Sequence, residues 1–223
     1  MAGRGQVEPI DTVPINRLLT IDHDGQLIMA KEPLHFYEPA MAGLDCGYSF
    51  GKTLLGSLPD SISILLIPTA VGGSSITQWL GDSVHRNVRL FSNFKEKVAI
   101  GKRYGTIKAV LWHQGESDAN EKDSPLYQQR LATLVSNFRS VTGDDQLPVL
   151  LGEIGSFSTD KAHWAAVNNA IHAYAAEDNN TAVIETGDLE HKGDHIHFNA
   201  KGQRTMGHRF ATAFLDKFWK VKP

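Results

Sequence analysis

Cysteine is almost missing from this chain: Cys46 is the only one in 223 residues. That excludes an internal disulfide and any multi-cysteine zinc site, and by itself leaves the compartment open. Long apolar runs are missing too, and none approaches the roughly 18 residues of a membrane span. The opening MAGRGQVEP has no hydrophobic stretch of the kind a secretory leader needs. There is no stripe of Lys or Arg, and net charge is −3 with histidine neutral, which argues against nucleic acid or an anionic membrane as partner. Internal repeats, low-complexity tracts and Pro/Gly/Ser linkers are absent as well, so residues 1–223 read as one domain.

What is present is the ordinary composition of a globular protein, 41% hydrophobic and 21% charged. Four short apolar runs read as buried strands: ISILLIP (62–68), IKAVLWH (107–113), PVLLGEI (148–154) and TAVIET (181–186). Continuous apolar runs rich in Val and Ile suit strands covered on both faces, as in parallel sheets. Helical spacing separates them over 83–104, 124–142, 160–177 and 199–219, the last opened by Asn199 as N-cap. Alternating strands and helices predict an open α/β sheet with helices on both faces, and ligands in such sheets bind beyond the carboxyl ends of the strands. Residues 1–40 show little periodicity, QLIMA (26–30) being the one strand-like stretch, an odd beginning for an α/β domain.

The strand ends carry the chemistry. In GDHIHFNAKGQ (193–203), Asp194 and His197 stand at i, i+3 just before a helix. A carboxylate accepting the imidazole N–H fixes the tautomer and stabilises the imidazolium of a general base. The plainer alternative is an aspartate serving the helix dipole, with a histidine that happens to follow it. A metal reading would recruit His191, His195 and His197 with Asp194, but four ligands within seven residues crowd one ion, so no metal is expected. In WHQGESD (112–118), Gln114 offers an amide N–H suited to an oxyanion hole, and Gly115 permits close backbone approach. Glu116 and Asp118 are candidate acids or bases, or braces of their own loop. VGGSS (71–75) offers Gly72 or Gly73 as a backbone donor, or is simply a turn into the next helix. GYSFG, around Ser49, fits the nucleophile-elbow pattern formally, but EPAMAGLDC before it is a poor strand, so the match is read as chance.

Taken in order, VGGSSITQW, WHQGESDA and DHIHFNAKGQRTMG resemble the carbohydrate O-acetylesterases of the SGNH-hydrolase superfamily, in the branch of sialate O-acetylesterase and acetylxylan-esterase-like domains. The resemblance spans nearly the whole chain. It implies a three-layer α/β/α, flavodoxin-like fold with a mostly parallel sheet. It also implies a Ser-His-Asp mechanism removing acetyl groups from small or oligomeric carbohydrates, without cofactor, in a monomer. By position, Asp194 and His197 match the family's orienter and base. Gln114 matches the side-chain oxyanion donor, Gly72 or Gly73 the backbone donor, and Trp79 a tryptophan that would wall the site. His191 and His195 fall outside the pattern. The family's serine lies in a Gly-Gln-Ser-Asn element after the first strand, which typically continues Met-Ala-Gly-Arg-Gly. This chain opens MAGRG, Met1 to Gly5, so both the first strand and the serine are expected to be missing from it, as in a fragment, a chain with a misassigned start codon or a shortened pseudoenzyme. The chain as given is expected to be inactive, the alternative being a non-catalytic carbohydrate-binding or interaction protein derived from such an esterase.

Overall fold

The computed structural model describes residues 2–219. In chain order the elements are β1 (Leu18–Ile21), β2 (Leu27–Met29), α1 (Gly47–Leu55), β3 (Ile64–Leu66), α2 (Ile76–Leu80), β4 (Val84–His85), β5 (Val88–Arg89), α3 (Leu90–Gly101), β6 (Val110–Trp112), α4 (Tyr127–Thr142), β7 (Val149–Gly152), α5 (Lys161–Glu177), β8 (Thr181–Ile184) and α6 (Ala200–Lys217). The four apolar runs each contain a strand, β3, β6, β7 and β8. QLIMA contains β2.

Strand alternation sorts the core into two sides. Val149 and Leu151 of β7 join a cluster with Trp79, Phe94, Leu131, Phe138 and Val167, from α2 to α5. Leu150, between them, joins Phe50 and Leu54 of α1 with Met206, Phe210 and Phe214 of α6. Successive side chains of a strand point to opposite faces, so this split defines three layers, α/β/α. Burying a side chain such as Leu150 fully contributes roughly 1.5–3 kcal/mol. The close contact of α1 with α6 depends on Gly207, where a Cβ would lie 2.7 Å from Ser49 Cβ and 2.9 Å from Phe50 N.

Polar caps set the helix starts that the sequence marks. Asn199 Oδ1 accepts from Gly202 N–H at 2.7 Å, and Asp160 accepts from His163 N–H. Pro125 begins a short 3₁₀ turn, Ser124–Leu126, that leads into α4. Residues 83–104 depart from the helical expectation. A small hairpin, β4–β5, comes first, and the helix begins at Leu90. Arg86 and Asn87 at its turn both take positive φ (49° and 64°), the backbone of a tight hairpin turn, in which Asn is favoured. The sequence reading also passes over β1, which runs antiparallel to β2 through the DHDG turn.

The strands lie in two parallel-containing sheets, β2-β1-β3 and β6-β7-β8, and among the described residues no hydrogen bond joins β3 to β6. The β7 residues are all buried, whereas Ile64, Leu65 and Leu66 of β3 and Val110 and Leu111 of β6 are only half-buried. The middle strand of each sheet, β1 or β7, is the more covered and its flanking strands the less.

Candidate active site

Three loops at carboxyl ends of strands carry the expected site residues. Gly72 and Gly73 follow β3, Gln114 and Gly115 follow β6, and Asp194 with His197 follow β8. The last two form a tight pair. His197 Nδ1 lies 2.7 Å from Asp194 Oδ2, while Asp194 Oδ1 accepts the backbone N–H groups of Ile196 (3.0 Å) and His197 (2.8 Å). His195 takes a positive φ of 58° and Gly193 one of 115°, which curls the loop so that the carboxylate meets its own chain. Burial alone would raise the pKa of Asp194. The hydrogen bonds from His197, backbone and ring, and from Ile196 outweigh it and hold the carboxyl well below the usual range. With Nδ1–H given to the ionised carboxylate, Nε2 carries the lone pair of a general base.

No hydroxyl or thiol among the described residues hydrogen-bonds to Nε2. Ser49 sits inside α1, not on a strand-to-helix turn, and its side chain packs against α6 at Gly207. Ser74 Oγ donates to Val71 O and accepts from Trp79 Nε1, and Ser75 caps α2. Trp79 itself is 3% exposed and packs edge-on to Trp112 at 5.4 Å, so it belongs to the core and does not wall the site as expected.

The donor side is bound up within the protein. Both hydrogens of the Gln114 amide are taken, by Ser74 O at 3.0 Å and Asp118 Oδ2 at 2.7 Å, and the Tyr127 hydroxyl donates to the Gln114 carbonyl at 2.6 Å. Asp118, fully buried, also accepts from Ile76 N–H at the start of α2. It is therefore a brace of its loop, with its pKa raised by burial. Gly72 N–H donates to Glu38 Oε2 at 2.6 Å. Glu38 is in turn paired with the buried Arg4 (2.8 Å) and with Arg86 at the hairpin turn. A Cβ at Gly72 would collide with the Arg4 guanidinium and Glu38. Gly115 N–H reaches Glu116 Oε2 at 3.2 Å, and a Cβ at this position would lie 2.6 Å from a Val167 methyl. Gly73 is the exception: it is exposed, has φ 74°, and its N–H has no hydrogen-bond partner among the described residues.

The base loop and the donor loops are tied through aromatic contacts. The His113 ring lies 5.5 Å from that of Phe198, next in sequence to Gln114 and His197 respectively. Burial pushes the His113 pKa well down, so the ring is neutral, and it meets Glu153 O at 3.0 Å. His191 Nδ1 accepts from Gly193 N–H, and the His191 and His195 rings touch at a tilt with centroids 4.1 Å apart. Both rings brace the loop. Among the described residues no three His, Cys, Asp or Glu side chains converge as a metal site. Sequence reasoning passed over Arg4, Glu38, Arg86 and Tyr127. They reach the donor loops from positions distant in the chain, or from a hairpin turn taken as helix.

An α/β/α sheet carrying a carboxylate–imidazole pair beyond the end of its last strand belongs to the class of hydrolase-like α/β proteins. More particularly, the chain belongs to the carbohydrate esterase family of sialic acid-specific acetylesterases, whose model matches residues 1–216. A probable carbohydrate esterase of Arabidopsis thaliana is 29% identical, the match covering 98% of this chain and 87% of that protein. An X-ray structure of an Arabidopsis thaliana protein superposes with a TM-score of 0.87 at 26% identity, over 98% of this chain and 95% of the other. NanS shares the fold, with a TM-score of 0.70 at 16% identity over 96% and 92% of the two chains. So does a carbohydrate acetylesterase of Xanthomonas citri, with a TM-score of 0.65 at 21% identity over 90% of this chain and 48% of that one.

Proposed function

We propose that this chain carries the base end of a Ser-His-Asp centre that removes O-acetyl groups from carbohydrates. The observation that carries the reading is the Asp194–His197 pair, with the imidazole fixed through Nδ1 and Nε2 turned out as a base. In such a centre a hydroxyl attacks the acetyl carbonyl while Nε2 takes its proton. The ring then returns that proton to the departing sugar oxygen. Water attacks the acyl intermediate through the same base, giving acetate. Asp194 does not take the proton. It holds the ring and balances the imidazolium. Gly73, with its free N–H, is the donor ready to receive the developing oxyanion.

No hydroxyl of the described residues reaches His197, so the chain alone is expected to turn over acetyl esters no faster than free imidazole does. The test is hydrolysis of 4-nitrophenyl acetate and of an O-acetylated sugar by the 223-residue chain, with His197→Ala and Ser49→Ala beside it. Turnover well above background that vanishes in His197→Ala would falsify the inactivity. Loss in Ser49→Ala would make Ser49 the nucleophile. The occupied Gln114 and Gly72 donors favour a second reading, sugar binding without hydrolysis. Saturable binding of an acetylated sugar that comes back intact would support it.

A further inference from the structure

We propose that β2 is a dimerisation edge, along which a second copy of this chain pairs antiparallel about a two-fold axis at Ile28. The backbone comes first. Ala30 N–H donates to Leu18 O and Asp22 N–H to Gln26 O, which makes Thr20 and Ile28, midway between, a pair that bonds across the β1–β2 ladder. The residues on either side of Ile28 must then turn their N–H and C=O groups the other way. Leu27 and Met29 present theirs outward, and neither has a hydrogen-bond partner on that side among the described residues.

The side chains are as open as the backbone. Leu27, Ile28 and Met29 are 37%, 41% and 42% exposed, although all three are large and apolar and point alternately to the two faces. The outer edge of β8, in the other sheet, is managed differently. Asn180 O and Ile184 O accept from Val149 and Glu153 on the β7 side, so the alternate carbonyls of Thr181 and Glu185 face outward. Two cations of α6 cover them: Lys217 Nζ donates to Thr181 O and Arg209 Nη1 to Glu185 O, each at 2.7 Å. Proteins guard edges with such groups because an open apolar edge recruits another strand. The β8 edge is guarded and the β2 edge is not.

These features select the occupant. A two-fold axis at Ile28 sets Leu27 opposite Met29 of the second copy, and Met29 opposite its Leu27. Both residues face outward on both strands, so each pair exchanges its N–H···O bonds in full. Ile28 meets Ile28 of the second copy across the axis, as a close apolar cross-strand pair. The same register brings exposed Lys31 against Gly25 of the second copy, beside exposed Asp24, and symmetry repeats the match at the other end. An edge with opposite charges at its two ends complements itself when reversed. The guarded β8 does not receive β2, so the contact closes as an isologous pair and does not run on as a filament. Three-residue strands fall short of the roughly 1,200 Å² of a stable interface, so the dimer is weak and forms at high protein concentration. It departs from the monomer that the resemblance implies. It uses neither the Asp194–His197 pair nor the donor loops, so it stands or falls apart from the esterase reading.

The test is sedimentation equilibrium of the full chain from micromolar to millimolar protein, with site-resolved amide exchange alongside. The mass should rise from one chain toward two, and exchange at Leu27 and Met29 should slow by about fivefold or more as it does. Leu27→Lys with Met29→Lys sets like charges opposite each other and should weaken association by about tenfold or more, with the melting temperature of the dilute chain unchanged. Asp24→Lys and Lys31→Glu should each weaken it by about threefold, and the two together should restore it. Four results overturn the proposal: a chain still monomeric at millimolar concentration, a mass that grows past two chains, a dimer that survives the double lysine variant, or a double charge reversal weaker than either single one. The first would leave the edge to an extended segment of a different protein.

Discussion

The two ends of the candidate site are built in opposite ways. At the base end, Asp194 and His197 are three residues apart, partly exposed, and bonded mainly to one another and to their own loop. At the donor end, Gln114 is bonded to buried Ser74, 40 residues away, and Gly72 to Glu38, 34 residues away. Their carboxylates differ in the same sense. The ordinary hydrogen-bonded loop at Asp194 lowers its pKa, while burial raises that of Asp118. A local pair can be lost without disturbing the fold, whereas a donor that is also a tie between elements cannot.

The sharpest break of that contrast is Glu38→Ala. It leaves Arg4 buried without its carboxylate and should cost about 3 kcal/mol in denaturant unfolding. Asp118→Ala comes next. It orphans Ile76 N–H and one hydrogen of the Gln114 amide, and about 2 kcal/mol of stability should go with it. Asp194→Ala, by contrast, removes a solvent-screened pair and should change stability by less than about 1 kcal/mol. A loss as large as that of Asp118→Ala would dissolve the distinction between the ends.

Titration sharpens it further. Asp118 has a raised folded pKa, so the folded state binds the extra proton and stability falls as pH rises from the ordinary carboxylate range through that folded value. Asp194 has a depressed folded pKa. Its contribution is present above the ordinary range and is lost only as pH drops through the lower folded value. Melting temperature against pH should therefore fall less steeply through the mildly acidic range in Asp118→Asn, which keeps the shape of the side chain, the remaining slope being that of Glu32, whose pKa burial also raises. The smallest effect belongs to Asp194→Asn. Its amide N–H₂ facing Nδ1 should move the His197 ring proton to Nε2, visible in the ¹⁵N shifts of the ring with melting unchanged. An unmoved proton would mean that Asp194 does not set the tautomer.

Much of this was legible in the chain because its causes are local. The four apolar runs fixed where β3, β6, β7 and β8 lie, and Asn199 and Asp160 marked helix starts through caps spanning three residues. The Asp194–His197 spacing was readable for the same reason. SVHRNVRL was misread as helix although Asn87 between alternating Val and charged residues carries a hairpin signal. Only the tertiary structure could place Trp79 in the core, since its indole reaches Trp112 and Phe138 across the fold. It alone decided that Glu38 occupies the Gly72 N–H and that Ser74 and Asp118 hold the Gln114 amide. Donor types follow from sequence, but whether a donor is free depends on what the chain folds against it. That no hydrogen bond joins β3 to β6 among the described residues is of that second kind, because pairing between strands is settled by their neighbours in space.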